Sequence, residues 1–232
     1  MPSFDPIVHS SNPVTLVGGG EATPQDLAEA LTLAPVCVAV DGGAALALQA
    51  GAELAAVIGD FDSLRQEDLA RIPADRCHRI AEQDSTDFEK ALSRVAAPVV
   101  VGVGFLGGRV DHQLAAFHTL AACRAQPCVL LGQDEVVCLA PPKVCLPTQA
   151  GDTVSLFPLG PVAGRSAGLE WPIQGLEFGP LTRIGTSNRA KGPMILEMQT
   201  PAMLLILPRR LMPALVSALA QPECARWNAR VE

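Results

Sequence analysis

Between residues 14 and 132 the chain returns again and again to a short apolar run: "VTLVGGG", "VCVAVDGG", "LAAVIGDFDS", "CHRIAEQDS", "PVVVGVGFLGG" and "PCVLLG". A polar or amphipathic stretch follows each one, which is the rhythm of βαβ units. The runs are apolar throughout and do not alternate. Both faces of their sheet must therefore be covered, which calls for parallel strands with helices on each side. Helix starts fit the same frame. "TPQD" offers Thr23 as N-cap, Pro24 at the first helical position and Asp26 in the first turn, and "SLRQ" places Ser63 three residues before Gln66 as a capping box. Past about residue 140 the helical periodicity fades. Pro and Gly punctuate short segments there, and "TVSLFPL", "MILEMQ" and "AMLLILP" read as antiparallel strands joined by turns. The expected organisation is α/β: a parallel-sheet, Rossmann-like domain over residues 1–140, then an all-β domain over 141–232 that includes a helix at "RRLMPALVSALAQ".

The chain has 232 residues, 49% of them apolar, enough to bury a real core. A net charge of -7 opposes a phosphate-backbone footprint, so nucleic acid is not an expected partner. The segment "MPSFDPIVHSSNP" has neither a basic n-region nor an apolar h-region, and no apolar stretch approaches a membrane span. A cytoplasmic location without membrane contact is expected. The seven cysteines (Cys37, Cys77, Cys123, Cys128, Cys138, Cys145, Cys224) form an odd set with no CxxC pair and sit mostly in apolar surroundings, so neither disulfides nor zinc are expected.

Ligands of open parallel sheets bind beyond the carboxyl ends of the strands. There the chain places Asp41 after "VCVAV", Asp60 and Asp62 after "AAVIG", Asp84 and Asp87 in "EQDSTDFEKAL", and Asp111 in "GGRVDHQL". In "GDFD" the two aspartates face one side of an extended chain, roughly 6 to 7 Å apart. Like charges that close raise each other's pKa unless a cation or proton intervenes. Any one of these acids could belong to a solvated rim. As a set flanked by glycines at "DGG", "GDFD" and "GGRVD" they point to a ligand site. Oxygen ligands without Cys or His pairs select Mg²⁺, which binds through a few carboxylates plus substrate phosphates. The turn "VGGGEATP", with Gly19 and Gly20 ahead of a helix N-terminus, and Arg109 suit those phosphates. No G-x-x-x-x-G-K-[ST] is present, so the chain is not a P-loop kinase.

A competing motif is "GVGFLG", residues 102–107, which matches G-x-G-x-x-G, with Asp134 as a ribose acid. It would make the chain an NAD(P)-dependent oxidoreductase, but the spacing to Asp134 is long and the other carboxylates are left without a role. His112 and His118, six apart, are separated by about 240° on a helix and cannot chelate together. His118 and His78 read as structural and His9 as exposed.

Taken in order, "GGGE", "DGGA", "IGDFDSL", "QDSTDFEKAL", "GFLGGRVDHQL", "GLEWPI" and "TSNRAKG" resemble the thiamine pyrophosphokinase family over roughly residues 14 to 207. The resemblance implies Mg²⁺-dependent transfer of a pyrophosphoryl group from ATP to the hydroxyl of thiamine, giving thiamine diphosphate and AMP. It further implies a β-sandwich as the second domain and a homodimer with active sites between the first domain of one subunit and the second of the other. By position, Asp41, Asp60, Asp62, Asp84, Asp87 and Asp111 resemble the family's acidic cluster, with Asp60, Asp62 and Asp87 as candidate metal ligands. Gln83, Thr86 and Arg109 resemble its polar neighbours, and Gly19, Gly20, Gly42 and His112 lie in the same motifs. Trp171, Ser187 and Asn188 resemble its thiamine contacts, an indole face suiting a cationic thiazolium. For Trp171 a place in the core under the second domain is an equal alternative. Arg109 would stabilise charge on the transferring group, and Asp87 or Asp111 would accept the hydroxyl proton. A non-catalytic nucleotide-binding module is the remaining alternative.

Overall fold

The computed structural model describes residues 5–221 and 226–229; Cys224 lies outside them. A two-stranded parallel edge joins β1 (Val8–His9) to β6 (Val95–Ala96). The main sheet begins with β2 (Val14–Val17), β3 (Val36–Val40), β4 (Leu54–Gly59), β5 (Cys77–Arg79), β7 (Val100–Val103) and β8 (Cys128–Leu131), hydrogen-bonded in the order β8-β7-β2-β3-β4-β5 with every pair parallel. Between them lie α1 (Pro24–Leu33), α2 (Ala44–Gln49), α3 (Gln66–Leu69), α4 (Asp87–Leu92) and α5 (Val110–Ala122). Strands β2, β7 and β8 are buried at every position, as expected of apolar runs in a sheet covered on both faces.

Local chemistry sets the helix starts. Thr23 caps α1 in a full capping box: its Oγ1 accepts the Asp26 N–H at 3.2 Å, and Asp26 Oδ2 accepts the Thr23 N–H at 2.8 Å. Ser63 does not cap α3. The N-cap is Arg65, without a side-chain cap bond, and Arg65 Nε donates to Asp68 Oδ2 at 2.8 Å. Ser63 is drawn into the acidic loop instead, its hydroxyl donating to Asp62 Oδ1 at 2.8 Å. His118 is exposed on α5, not structural as expected, because α5 turns toward solvent the face that also carries Leu114. Burial pushes the Cys37 and Cys123 thiols up to about 12, while Cys145 is exposed. Among the described residues no helix is long and apolar enough to cross a membrane.

The chain then turns back. β9 (Glu135–Leu139) runs antiparallel to β8 and is followed by β10 (Lys143–Leu146), β11 (Thr153–Pro158), β12 (Val162–Leu169), β13 (Glu177–Phe178), β14 (Gly185–Met198), β15 (Met203–Pro208) and α6 (Met212–Ala220). All of these pairings are antiparallel, as "TVSLFPL", "MILEMQ" and "AMLLILP" suggest. The 14-residue β14 pairs through its first part with β11 and through its second with β12 and β10. Val154, Leu156, Met194, Leu196, Met203 and Leu205 share one buried cluster with Leu215 and Leu219 of α6. The hydrogen-bonded ladder does not break at residue 140, since β9 pairs with β8 on one side and β15 on the other.

Candidate active site

At the carboxyl end of β3, Asp41 adopts φ +45, a left-handed conformation rare for a residue with a side chain. Phe61, after β4, sits at φ +67. Such backbone strain costs about 1 to 3 kcal/mol per residue and gathers where function holds it in place. The chain around Asp41 is tightly fixed. A Cβ added to Gly43 would lie 1.9 Å from the Val17 carbonyl oxygen, and one added to Gly59 would lie 2.9 Å from Asp41 Cβ. Asp41 is buried; its Oδ2 accepts the Ser63 N–H at 3.2 Å, and its Oδ1 is buried without a hydrogen-bond partner among the described residues.

Asp60, one residue past β4, is also buried. Its Oδ1 accepts the Asp62 N–H at 3.2 Å, and its Oδ2 accepts from Gln83 Nε2 at 3.3 Å and from Lys90 Nζ at 3.1 Å. Asp87 opens α4, where Thr86 caps by accepting the Glu89 N–H at 3.2 Å. Lys90, one turn on, places Nζ 3.0 Å from Asp87 Oδ1 and is only 2% exposed. One oxygen each from Asp41, Asp60 and Asp87 lies within 4.8 Å of the others. The electrostatics differ by position. Burial, reinforced by the charges of Asp87 and Asp62, raises the Asp41 carboxyl above its ordinary range despite the Gly42 N–H. Burial opposes ionisation of Asp60 as well, but the Asp62 N–H and the Lys90 ammonium outweigh it and hold that carboxyl below the usual range.

These acids line a cavity of about 900 Å³, together with the glycine turn Gly18, Gly19, Gly20, Gly42 and the segment Gly104 to Arg109. The glycines let two loops meet: the Gly20 N–H donates to the Gly104 carbonyl at 3.0 Å, and a Cβ on Gly20 would come within 2.6 Å of that oxygen. The "GVGFLG" motif thus serves to close this turn, and Asp134 lies between β8 and β9 with its carbonyl taken by the Arg209 N–H. A neighbouring cavity of about 470 Å³ shares Gly18, Gly19, Gly20 and Gly42 and is walled by Arg65 and Arg71.

Asp62, Gln83, Thr86, Arg109 and His112 also border the large cavity. Asp62 is exposed and lies outside the group formed by Asp41, Asp60 and Asp87. Asp84 is exposed, its N–H donating to Glu82 Oε2 at 2.9 Å. Asp111 forms a two-point pair with Arg109, at 3.1 and 2.5 Å, and both side chains are well exposed. Trp171, Ser187 and Asn188 line a different cavity of about 430 Å³ with Arg183 and Ile184, which shares no lining residue with the acidic one. Trp171 is 55% exposed, so it is not a core residue. Lys90 is a participant that the motifs did not single out. The signal for Lys90 was its place in "DFEK", three residues after Asp87 and hence on the same helix face.

Fold and cavity together define a class: an α/β protein whose glycine turns and acid cluster converge at the carboxyl edge of a parallel sheet, the position where such folds hold nucleotides. Residues 27–131 match the family model described as "Thiamin pyrophosphokinase, catalytic domain". The chain is 29% identical over 150 residues to thiamine pyrophosphokinase 2 of Oryza sativa subsp. japonica, with 56% of each chain covered. It is 27% identical over 157 residues to thiamine pyrophosphokinase 1 of Arabidopsis thaliana, with 57% of each covered. The chain spans a little over half the length of these curated relatives. In fold it is similar to thiamin pyrophosphokinase from Geobacillus thermodenitrificans, at TM-score 0.70 and 24% identity over 84% of this chain and 96% of that one. It is likewise similar in fold to the enzyme from Candida albicans, at TM-score 0.72 and 15% identity over 90% and 94%. All three comparisons point to one family, the thiamin pyrophosphokinases, whose catalytic-domain model is matched by residues 27–131.

Proposed function

We propose that this chain transfers a pyrophosphoryl group from ATP to the hydroxyl of thiamine, yielding thiamine diphosphate and AMP. The observation that carries the reading is the convergence of Asp41, Asp60 and Asp87 inside the family-matched segment, with one buried Asp41 oxygen left unpartnered. That orphaned oxygen beside two further carboxylates fits a hard cation such as Mg²⁺, which Asp41, Asp60 and Asp87 would hold. When bound, the ion neutralises charge on the ATP phosphates.

The protein's own groups have separate tasks. The Gly19 turn receives phosphate oxygens; Gly20, whose N–H is held by the Gly104 carbonyl, and Gly42, whose N–H faces Asp41, leave room for the close approach because they carry no Cβ. Asp62, at the cavity wall, adds its charge to the acid cluster and so favours a cation beside the polyphosphate. Arg109 turns from Asp111 to the transferring group, because a guanidinium binds phosphate oxygens in bidentate fashion. Asp87 or the released Asp111 accepts the proton of the thiamine hydroxyl as it attacks the β-phosphorus. Gln83 and Thr86 hold Asp60 and the α4 terminus in register, and Asp84 and His112 border the nucleotide's path.

Trp171 stacks on the thiamine rings, its backbone held by Asn188 of β14, next to Ser187. Its cavity is separate from the acidic one within a single chain, and this supports a homodimer in which residues 141–232 of one subunit complete the site on residues 1–140 of the other. We read the two antiparallel strand sets around β14 as a β-sandwich and place the protein in the cytoplasm. Incubating protein, ATP, MgCl₂ and thiamine should release AMP only when all four are present. Asp60→Asn should cut turnover at least a hundredfold while the fold is retained; thiamine-independent AMP release, or full activity of that variant, refutes the reading.

A further inference from the structure

The reaction scheme leaves one charged group without a task. Lys90 is among the largest fully buried side chains of the described residues, and an ammonium without water is tolerated only when acceptors surround it. It has two, Asp60 Oδ2 at 3.1 Å and Asp87 Oδ1 at 3.0 Å. Its stem is fixed as well. Phe88, Ala91 and Leu92 bury the same helix, and Arg94 Nη1 donates to the Lys90 carbonyl at 2.9 Å. The ammonium serves two acids of the group of three and leaves the third, Asp41, with an unpartnered oxygen. Three carboxylates against one ammonium leave the cluster with surplus negative charge and one open acceptor.

We propose that Lys90 is a positioning residue, the resident counter-cation of the acid cluster, which holds Asp60 and Asp87 at ligating separation before metal arrives and, by its charge, weakens the cluster's grip on a divalent cation. The inference rests on the reading of Asp41, Asp60 and Asp87 as the metal-holding set. The ammonium cannot leave on its buried stem, so an incoming cation has to sit beside it at the Asp41 side. There the repulsion between the two positive charges keeps the metal exchangeable and able to depart with product.

The probe is MnCl₂ alone, added to the whole chain after EDTA treatment and removal of the chelator. Wild type should bind Mn²⁺. In Lys90→Met, which keeps the stem and removes the charge, the metal-free melting temperature should fall by about 5 °C or more. Mn²⁺ should restore most of that loss, and its affinity should be at least tenfold higher than for wild type. Lys90→Arg should stay close to wild type in metal-free stability. If Lys90→Met does not fold without metal, Asp87→Asn decides: removing one of the surplus carboxylates should leave the metal-free melting temperature at or above the wild-type value. Unchanged or weaker Mn²⁺ affinity in Lys90→Met, a stability loss that Mn²⁺ does not restore, or a fall in Asp87→Asn reduces Lys90 to an ordinary structural ion pair and overturns the proposal. Absence of Mn²⁺ binding by wild type would instead sink the metal reading itself.

Discussion

The side-chain amide of Asn188 closes on both backbone polar groups of Trp171: Oδ1 accepts the Trp171 N–H at 3.2 Å, and Nδ2 donates to the Trp171 carbonyl at 2.7 Å. Oδ1 also takes the Arg189 N–H at 2.8 Å, so this buried amide makes three bonds within the protein while the indole it holds stays exposed. On the proposed reading, Asn188 acts on thiamine through Trp171. Asn188→Ala should destabilise the fold by about 2 kcal/mol, since three buried bonds lose a partner. Steady-state kinetics should show a rise in KM for thiamine of roughly tenfold with a smaller change in kcat, and Trp171→Ala should show the same split without the stability loss.

Asp41 combines a left-handed backbone, burial and a raised carboxyl pKa. A folded-state value above the unfolded one means that its contribution to stability is fully present below about pH 4 and is lost as pH rises through the raised value. Asparagine tolerates the same backbone and carries no charge. Asp41→Asn should thus be more stable than wild type in urea at pH 7, with the gap closing below about pH 4. AMP formation by the variant should fall at least a hundredfold. For Asp60 the sign is reversed. Its depressed value adds stability above about pH 4 that disappears as pH falls through that value, so Asp60→Asn should lose stability at neutral pH.

Close approach of β2 and β3 makes a separate prediction. Gly43→Ala places a Cβ 1.9 Å from a backbone oxygen that cannot move aside, and should destabilise by about 3 kcal/mol or more in chemical denaturation. Gly51, at φ +70 with open space around it, should cost only about 1 kcal/mol when changed to Ala.

Arg209 ties the start of α1 to the turn after β8. Its Nη1 lies 2.7 Å from Asp26 Oδ1 and donates to the Gly132 carbonyl at 3.2 Å, and its Nη2 lies 2.5 Å from Glu29 Oε2. Arg209→Met should cost about 2 kcal/mol and Thr23→Ala about 1 kcal/mol. Because both act on Asp26, a double-mutant cycle should reveal coupling of at least about 0.5 kcal/mol, measured by urea denaturation.

The parallel strands were legible because fully apolar runs leave few other ways to bury both faces, and the acids after them because a parallel sheet presents its loops at one edge. The membership of the cluster was less so. "GDFD" suggests that Asp60 and Asp62 work together, yet the left-handed Phe61 between them breaks the extended geometry that would put both on one side, and Asp41 arrives from a neighbouring strand. Lys90 was hidden because "DFEKAL" reads as an ordinary charged helix face; only the packing of α4 against β4 puts that face inside. The partnership of β9 with β15 joins residues some seventy positions apart, a pairing that no local pattern encodes.

That partnership governs how the molecule comes apart. With β9 bonded on one side to β8 of the parallel set and on the other to β15 of the antiparallel set, the ladder leaves no seam along which one half could melt before the other, so heating should give a single cooperative transition. Fragments severed near residue 140 would each expose a long, naked strand margin and should clump instead of refolding alone.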